Sequence, residues 1–178
     1  VGVVGRAMLD SISVRAVSDE GLPVPGVDIS FQVIQGGGTV SEVTKTTGLD
    51  GIARVLWDPS TRAGRQELLA QSGSLGTVLF SLDALPDYDT AEVEPVDGNE
   101  QQGQVDTFLP IPLRARVRDQ FGNPLPGLVL NWTFTGGGGA TAWPGGPEAA
   151  APGLTSPTDV NGITEVYWKL GTQAGLQE

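Results

Sequence analysis

The chain has 178 residues and contains neither cysteine nor histidine, which excludes disulfides, thiolate metal sites, cysteine nucleophiles and histidine general bases. Ten Lys and Arg against 21 Asp and Glu give a net charge of −11, and this charge disfavours nucleic acid as a partner. The 26 glycines and 13 prolines disfavour long helices, and no apolar run reaches the roughly 18 residues that a membrane span needs.

The first predicted strands carry apolar residues at every second position. This alternation is visible in Ile12–Ala16 and is clearest in Val27–Val33, where one face is apolar and the other polar. Between them, Asp19–Pro23 predicts a turn in which glycine takes a positive φ and proline directs the exit. The same reading predicts strands at Ile52–Trp57, Arg65–Gln71 and Leu75–Leu82.

A cluster of carboxylates follows these strands. The six residues are Asp87, Asp89, Glu92, Glu94, Asp97 and Glu100. Ca²⁺ prefers six to eight oxygen ligands, so the cluster is a candidate calcium site that would stiffen a joint. No Asp-x-Asp-x-Asp-Gly loop is present, however, and the favoured interpretation is a solvated acidic linker and edge strand.

The second half of the chain repeats the first. The segment Gly21–Val27 returns as Gly122–Leu128, 101 residues later, and Phe31 then aligns with Trp132. After the glycine runs the spacing is 111 residues, which aligns Asp50-Gly51-Ile52 with Asn161-Gly162-Ile163, Trp57 with Trp168, and Ala63-Gly64 with Ala174-Gly175. The repeat predicts strands at Pro112–Arg118, Leu128–Phe134 and Ile163–Leu170.

The change in spacing places an insertion of ten residues within Gly139–Thr158, which we expect to be a surface loop. Trp143 lies in it without a counterpart in the first copy and is a candidate ligand contact. Trp57 and Trp168 end strands and are interpreted as core aromatics.

Short alternating strands separated by turns predict antiparallel sheets that stack in pairs. The fold class is therefore all-β, with two tandem immunoglobulin-like β-sandwiches at residues 1–86 and 87–178. We expect the N-terminal strand of the first sandwich to be incomplete. The second stops three residues after Gly175, so we expect it to lack its last one or two strands, either because the chain is a fragment of a longer array or because another chain donates a strand.

Catalysis has little support in the sequence. The carboxylates fall on linkers and solvent faces, and the glycine runs at 36–38 and 136–139 precede neither a helix nor a lysine, unlike a phosphate-binding loop. We interpret these runs as tight reversals or bulges. No catalytic residue and no cofactor is predicted, and calcium at the acidic cluster is the exception left open.

The chain resembles a known family. The run Val117–Gly127 (VRDQFGNPLPG), together with Thr133–Gly139, Thr158–Thr164 and Trp168–Gly175, is similar to the signature of bacterial Ig-like group 1 repeats, the invasin/intimin type. Copy one departs at its first turn and after Trp57. The resemblance implies rods of tandem Ig-like modules in exported bacterial proteins, often adhesins, and an extracellular or cell-surface location. The shared motif is structural, so no functional residue carries over.

Three functions are consistent with this pattern. The first is a spacer or stalk whose partners are neighbouring Ig-like modules, with no insertion into a membrane by this segment. The second is an adhesive module that binds a protein or glycan ligand through Trp143 and residues 140–155. The third is a subunit of a surface filament, sheath or phage appendage.

Overall fold

The computed structural model describes residues 2–6, 11–73, 75–134 and 155–176, and the backbone of 141–143. The chain divides into two compact units, Val1–Asp87 (the first unit) and Tyr88–Glu178 (the second unit). Within the described residues the only helical element is a 3₁₀ turn at Tyr88–Thr90, and the fold class is all-β, as predicted.

The first unit contains nine strands within its described residues. They are β1 Gly2–Val3, β2 Ile12–Arg15, β3 Asp28–Gln35, β4 Gly38–Val40, β5 Thr44–Thr46, β6 Ile52–Val55, β7 Trp57–Pro59, β8 Gly64–Ser72 and β9 Gly76–Leu85. One sheet has the order β1-β9-β8-β3-β5. Its strands pair antiparallel except for β1, which is parallel to β9.

The second layer of this unit consists of two strand pairs, β2-β6 and β4-β7. Exposed Leu56 joins β6 to β7. Its backbone N–H donates to the Ser41 hydroxyl at 3.0 Å, and its carbonyl accepts from the Ser41 N–H at 2.9 Å. The predicted strand Ile52–Trp57 is therefore present but changes its pairing partner at Leu56.

The core of the first unit lies between these layers. Its buried members are Ile29, Phe31, Ala53, Val55, Trp57, Leu68 and Ala70. They come from alternate positions of β3 and β8 on one side and of β6 and β7 on the other, which is the arrangement of a β-sandwich. Burying one large apolar side chain stabilises the fold by about 1.5–3 kcal/mol.

The second unit contains six strands within its described residues. They are β10 Glu92–Asp97, β11 Leu113–Arg118, β12 Val129–Asn131, β13 Thr141–Trp143, β14 Thr155–Pro157 and β15 Ile163–Lys169. They form a four-stranded sheet, β10-β11-β15-β13, and a two-stranded sheet, β12-β14. Buried side chains here include Val117, Leu125, Val166 and Trp168.

Strand pairing follows the sequence repeat residue by residue. In the first unit Asp28 pairs with Thr46 and Ile12 with Val55. In the second, Val129 pairs with Pro157 and Leu113 with Val166. Val129 lies 101 residues after Asp28, and Pro157 lies 111 residues after Thr46. Leu113 and Val166 are related to Ile12 and Val55 by the same two spacings. The spacings found in the sequence therefore reproduce the register of both strand pairs.

Two sequence expectations need correction. The predicted strand Leu128–Phe134 is shorter, at Val129–Asn131. The segment Gly139–Thr158 is not a loop throughout, because it contains β13 and β14. Ala142 pairs with Trp168 in the second unit, and Val40 pairs with Trp57 in the first. Ala142 is therefore the structural equivalent of Val40, at a spacing of 102 residues. Most of the extra length therefore lies between Trp143 and Thr155.

The first glycine run connects β3 to β4, and Gly36, Gly37 and Gly38 all have positive φ. The β3-β8 register shifts just before this run, between Val33 and Gln35, which marks a bulge in β3. A Cβ on Gly36 would lie 2.5 Å from the Gln66 side chain, so the close approach there requires glycine. The run at 136–139 lies outside the described residues.

At the spacing of 111 residues, the first four residues of β8, Gly64–Glu67, correspond to Gly175–Glu178, and the positions equivalent to the rest of β8 and to β9 would fall after Glu178. The expectation that this unit lacks its last strands stays a prediction.

Candidate functional site

The repeated motif builds a hydroxyl clamp in the first unit. Thr47 is 4 % exposed, and its Oγ1 donates to the carbonyl of Val24 at 2.9 Å while accepting from the N–H of Val27 at 2.9 Å. The Thr47 carbonyl also accepts from the Gly26 N–H at 3.0 Å. One threonine thus satisfies the polar backbone groups of the Pro-Val-Pro-Gly turn, which would be costly to leave buried without partners.

The second unit repeats the clamp with different side chains around it. Thr158 Oγ1 donates to the Leu125 carbonyl at 2.6 Å and accepts from the Leu128 N–H at 3.0 Å. The Thr158 carbonyl accepts from Gly127 at 2.9 Å. These groups of Thr158 bond to the backbone of the turn and hold it in place.

A glycine completes each clamp. The carbonyls of Gly51 and Gly162 accept from Ala16 at 2.8 Å and Val117 at 2.7 Å. Both glycines have positive φ, 71° and 72°, and a Cβ on Gly51 would lie 2.7 Å from the Ala16 carbonyl oxygen. This backbone approach explains why the same glycine recurs, and its role is structural.

The six acidic residues are dispersed. Asp87 is buried in the first unit and accepts from Arg6 at 3.1 Å. Glu94, in the second unit, pairs with Arg118 at 2.8 Å and Arg116 at 3.8 Å. Within the part of the chain that the structure describes, no group of three or more acidic residues is arranged to hold a metal ion. The other four residues, Asp89, Glu92, Asp97 and Glu100, are exposed.

Two aspartates have pKa values below their ordinary range, and both belong to turns. Hydrogen bonding from the Ile52 N–H, at 3.0 Å, is the main cause that lowers the pKa of Asp50. The Ile163 and Asn161 N–H groups, both at 2.8 Å, lower the pKa of Asp159. Both carboxylates are exposed, and an acceptor of backbone bonds at a turn is not poised as an acid or base.

Trp143 occupies the last position of β13, paired with Tyr167 of β15. Its backbone therefore belongs to the four-stranded sheet. Its side chain and most of residues 140–155 lie outside the described residues, so the proposed ligand contact stays a prediction.

Trp57 and Trp168 are core aromatics, as predicted. Trp57 is 2 % exposed and Trp168 8 %. The Trp168 ring packs against Phe134 with centroids 5.0 Å apart and planes tilted by 32°, a favourable aromatic geometry. The indole Nε1 of each has no hydrogen-bond partner among the described residues.

The second unit has a cleft that the sequence analysis did not identify. It has a volume of about 740 Å³. Its apolar lining includes Leu109, Leu113, Trp168, Leu170 and Leu176. In the first unit the equivalent residue, Trp57, lies in the closed core and borders no such cleft among the described residues. Its lining comes from two separate stretches, residues 98–113 and 168–176, so no single sequence motif marks it.

No helix among the described residues has the length and apolar character needed to cross a membrane.

Comparisons with known proteins return solved structures of intimin, invasin and the adhesin FdeC. The D0-D1 domain of intimin is 17 % identical with a TM-score of 0.39, covering 95 % of this chain and 80 % of that one. Invasin, described as a bacterial integrin-binding protein, is 14 % identical with a TM-score of 0.42, covering 99 % and 33 %. FdeC, an Escherichia coli adhesin, is 18 % identical with a TM-score of 0.49, covering 99 % and 54 %.

The chain therefore spans about a third of the invasin structure and about half of the FdeC structure. No protein-family model and no curated protein matches the sequence. The sequence motifs resemble bacterial Ig-like group 1 repeats of the invasin/intimin type.

Proposed function

We propose that the chain is a structural spacer, a run of tandem Ig-like modules within an exported bacterial surface protein of the adhesin type. The observation that carries this proposal is that two recurring threonines and two recurring glycines hold the repeated turns through backbone hydrogen bonds. The polar groups of these four residues form hydrogen bonds with backbone groups; the residues are Thr47, Gly51, Thr158 and Gly162. A repeated motif that stabilises turns supports a repeated mechanical unit, and it supplies no group for chemistry.

On both sides of the boundary between the units, the residues of the connecting segment are bonded within their own unit. Before the boundary, Asp87 is held by Arg6. After it, the Tyr88 hydroxyl donates to the Pro126 carbonyl at 3.0 Å, and Thr90 Oγ1 accepts from the Gln120 N–H at 3.3 Å. The segment that connects the units is thus tied to its neighbours within each unit, whereas a flexible linker would be solvated along its length.

A distance measurement between the units tests this role. The chain has no cysteine, so spin labels can be attached through Leu49→Cys and Val160→Cys, two repeat-equivalent positions that are 92 % and 80 % exposed. We expect a single narrow distance distribution by double electron–electron resonance. As a control, six Gly/Ser residues inserted between Asp87 and Tyr88 should broaden it. An equally broad distribution in both proteins would refute the spacer proposal.

The second candidate is an adhesive module. It is favoured by the connection between β13 and β14, which spans residues 144–154, whereas β4 and β5 are joined by Ser41–Val43 alone. Extra length confined to one connection is a common place for binding function. Replacing 144–154 by the Ser41–Val43 sequence should abolish binding to epithelial cells or glycan arrays while leaving the melting temperature of the second unit within a few degrees. Trp143→Ala should weaken the same binding, and unchanged binding in both variants argues against this role.

A further inference from the structure

A small polar pocket lies at one end of the first unit, where the glycine run after β3 meets the loop of residues 60–63 between β7 and β8. Its volume is about 290 Å³. The residues that line it are Gln35, Gly36, Arg62, Ala63 and Arg65. Two of these five residues are arginines, although the chain as a whole carries a net charge of −11. The pocket therefore gathers positive charge at one place on an acidic protein.

Arg62 is one of two basic side chains without an ion pair. Eight of the ten Lys and Arg residues pair with a carboxylate. The two exceptions, Arg15 and Arg62, are exposed and have no such partner among the described residues. Arg15 lies on β2, outside the pocket. A guanidinium without a carboxylate partner has its full charge and its five N–H donors available for a ligand.

Arg65 is held in a fixed position beside the pocket. Its Nε donates to Glu67 Oε1 at 2.8 Å, and its Nη2 donates to the Ser81 hydroxyl at 3.1 Å. These bonds occupy two of the five N–H donors of a guanidinium, and the others remain for an anion. Glu67 and Asp83, which lies opposite Arg65 on β9, partly neutralise its charge. Arg62 is therefore the main source of uncompensated positive charge at the pocket.

The loop that carries Arg62 is fixed by buried hydrogen bonds. Gln66 is fully buried. Its Oε1 accepts from the Ser60 N–H at 3.0 Å, and its Nε2 donates to the Arg62 carbonyl at 2.9 Å. The Ser60 hydroxyl donates to the Gly36 carbonyl at 2.6 Å and accepts from the Arg62 N–H at 3.1 Å. These bonds join the loop to the glycine run, so the backbone of the pocket is formed before any ligand binds.

The second copy keeps the residues of this loop but not its arginines. Residues 61–67 read TRAGRQE, and residues 172–178 read TQAGLQE. The two positions that differ are Arg62, which is replaced by glutamine, and Arg65, which is replaced by leucine. The repeated motif itself therefore does not require either arginine, and both are specific to the first unit.

We propose that the pocket bordered by Arg62 and Arg65 is a binding site for an oxyanion, the carboxylate or sulfate group of an acidic ligand. Arg62 supplies the uncompensated charge and a planar fork that can bind two oxygens at once, and Arg65 adds a second guanidinium at a fixed position. The volume lies at the lower end of the range for ligand pockets, which suits a single charged group. The inference goes beyond the spacer role and does not depend on it.

The test titrates the chain with sodium sulfate and, separately, with sodium acetate. Sodium chloride keeps the ionic strength constant, because screening alone changes arginine–anion contacts. We expect the Nε–H signals of Arg62 and Arg65 in nitrogen–proton NMR spectra to shift saturably, with a dissociation constant of about 1 mM for at least one of the two ions. Arg62→Gln introduces the residue of the second copy and should weaken the binding seen at Arg65 by about tenfold or more. The matched control, Arg15→Gln, removes the other unpaired arginine and should leave the binding unchanged.

Three results would overturn the proposal. The first is that neither ion produces a saturable shift. The second is that Arg62→Gln leaves the binding at Arg65 intact. The third is that the Nε–H of Arg15 shifts with the same dissociation constant, since the effect would then belong to any exposed arginine.

Two features keep the result interpretable. Arg62 is exposed and has no ion pair among the described residues, so Arg62→Gln should leave the melting temperature of the first unit within a few degrees of the original value. Lost binding would then not reflect unfolding. The ion that binds distinguishes a planar carboxylate from a tetrahedral sulfate. Because all of these signals come from the first unit, they are independent of the distance measurement that tests the spacer role.

Discussion

The two units place the same alternating pattern in two different environments. In the first unit β3 is flanked by β5 and β8, and Phe31 is 3 % exposed. In the second unit β12 is flanked by β14 among the described strands, and the equivalent Trp132 is half-buried. The alternation decides which face of a strand is apolar, but the neighbouring strands decide how much of that face leaves water.

The largest expected loss of stability comes from shortening an apolar side chain on β3, compared with the equivalent change after β12. Phe31→Ala should lower the free energy of unfolding of the first unit by about 3–5 kcal/mol, as large-to-small changes in closed cores do. Trp132→Ala should cost the second unit less than half as much, since part of its side chain is already in water. Urea unfolding followed by hydrogen exchange in each unit measures both. Equal losses of unfolding free energy for Phe31→Ala and Trp132→Ala would contradict the view that the first core is closed and the second is open.

The glycine clamps should be nearly as sensitive and should behave alike in both units. Gly51→Ala and Gly162→Ala should each destabilise by about 3 kcal/mol, because positive-φ strain of about 1–3 kcal/mol is joined by a collision with a backbone carbonyl. Gly122→Ala is the matched control. It has φ 85° and open space around its Cβ position, so we expect about 1 kcal/mol. If Gly122→Ala lowers the free energy of unfolding as much as Gly162→Ala does, collision with a backbone carbonyl is not the cause of the larger loss.

The threonine clamps test whether the shared motif contributes equally to both units. Thr47→Val and Thr158→Val keep the side-chain shape but remove two hydrogen bonds in each unit. Leaving buried backbone partners unsatisfied costs about 1–3 kcal/mol, and we expect the two losses to agree within about 1 kcal/mol. Thr→Ser at the same positions keeps the hydroxyl and should recover much of the loss. Chemical denaturation measures the free energy of unfolding of all four variants. An unchanged value for Thr158→Val would show that the hydrogen bonds of Thr158 do not stabilise the second unit.

A smaller effect should appear in acid. Because the folded-state pKa values of Asp50 and Asp159 are lowered, each carboxylate contributes stability above its unfolded pKa, near the ordinary value of 3.8. That contribution disappears as the pH falls through the lower folded value. Asp50→Asn and Asp159→Asn should therefore flatten the decline in melting temperature between pH 5 and pH 2. Curves parallel to the unmodified protein would contradict the turn hydrogen bonds as the cause.

The smallest effect concerns calcium. Glu94 is committed to Arg116 and Arg118, and Asp87 to Arg6, so millimolar Ca²⁺ should leave the melting temperature of both units unchanged relative to a chelator. A rise of several degrees that Asp97→Asn removes would instead establish calcium at the acidic segment.

Sequence reasoning predicted most strands of four or more residues and missed four strands of three residues. Strands β3, β8, β9 and β15 carry enough alternating residues for the period to be read. The strands β4, β5, β13 and β14 have three residues each, too few to show a period. They exist because their partners β7, β3, β15 and β12 offer free hydrogen-bonding edges. The cleft was also missed, because an unfilled volume depends on residues distant along the chain.

The sequence alone determined the duplication, the two repeat spacings, the turns and the apolar face of each long strand. These features are local, because glycine and proline set backbone angles and alternation sets the face over a few neighbouring residues. Only the tertiary structure decided that Thr47 and Thr158 close the turns, that Glu94 pairs with arginines, and that the equivalents of one closed core border an open cleft. Such outcomes depend on which strands become neighbours, and pairing between distant segments is not encoded in any single stretch of residues.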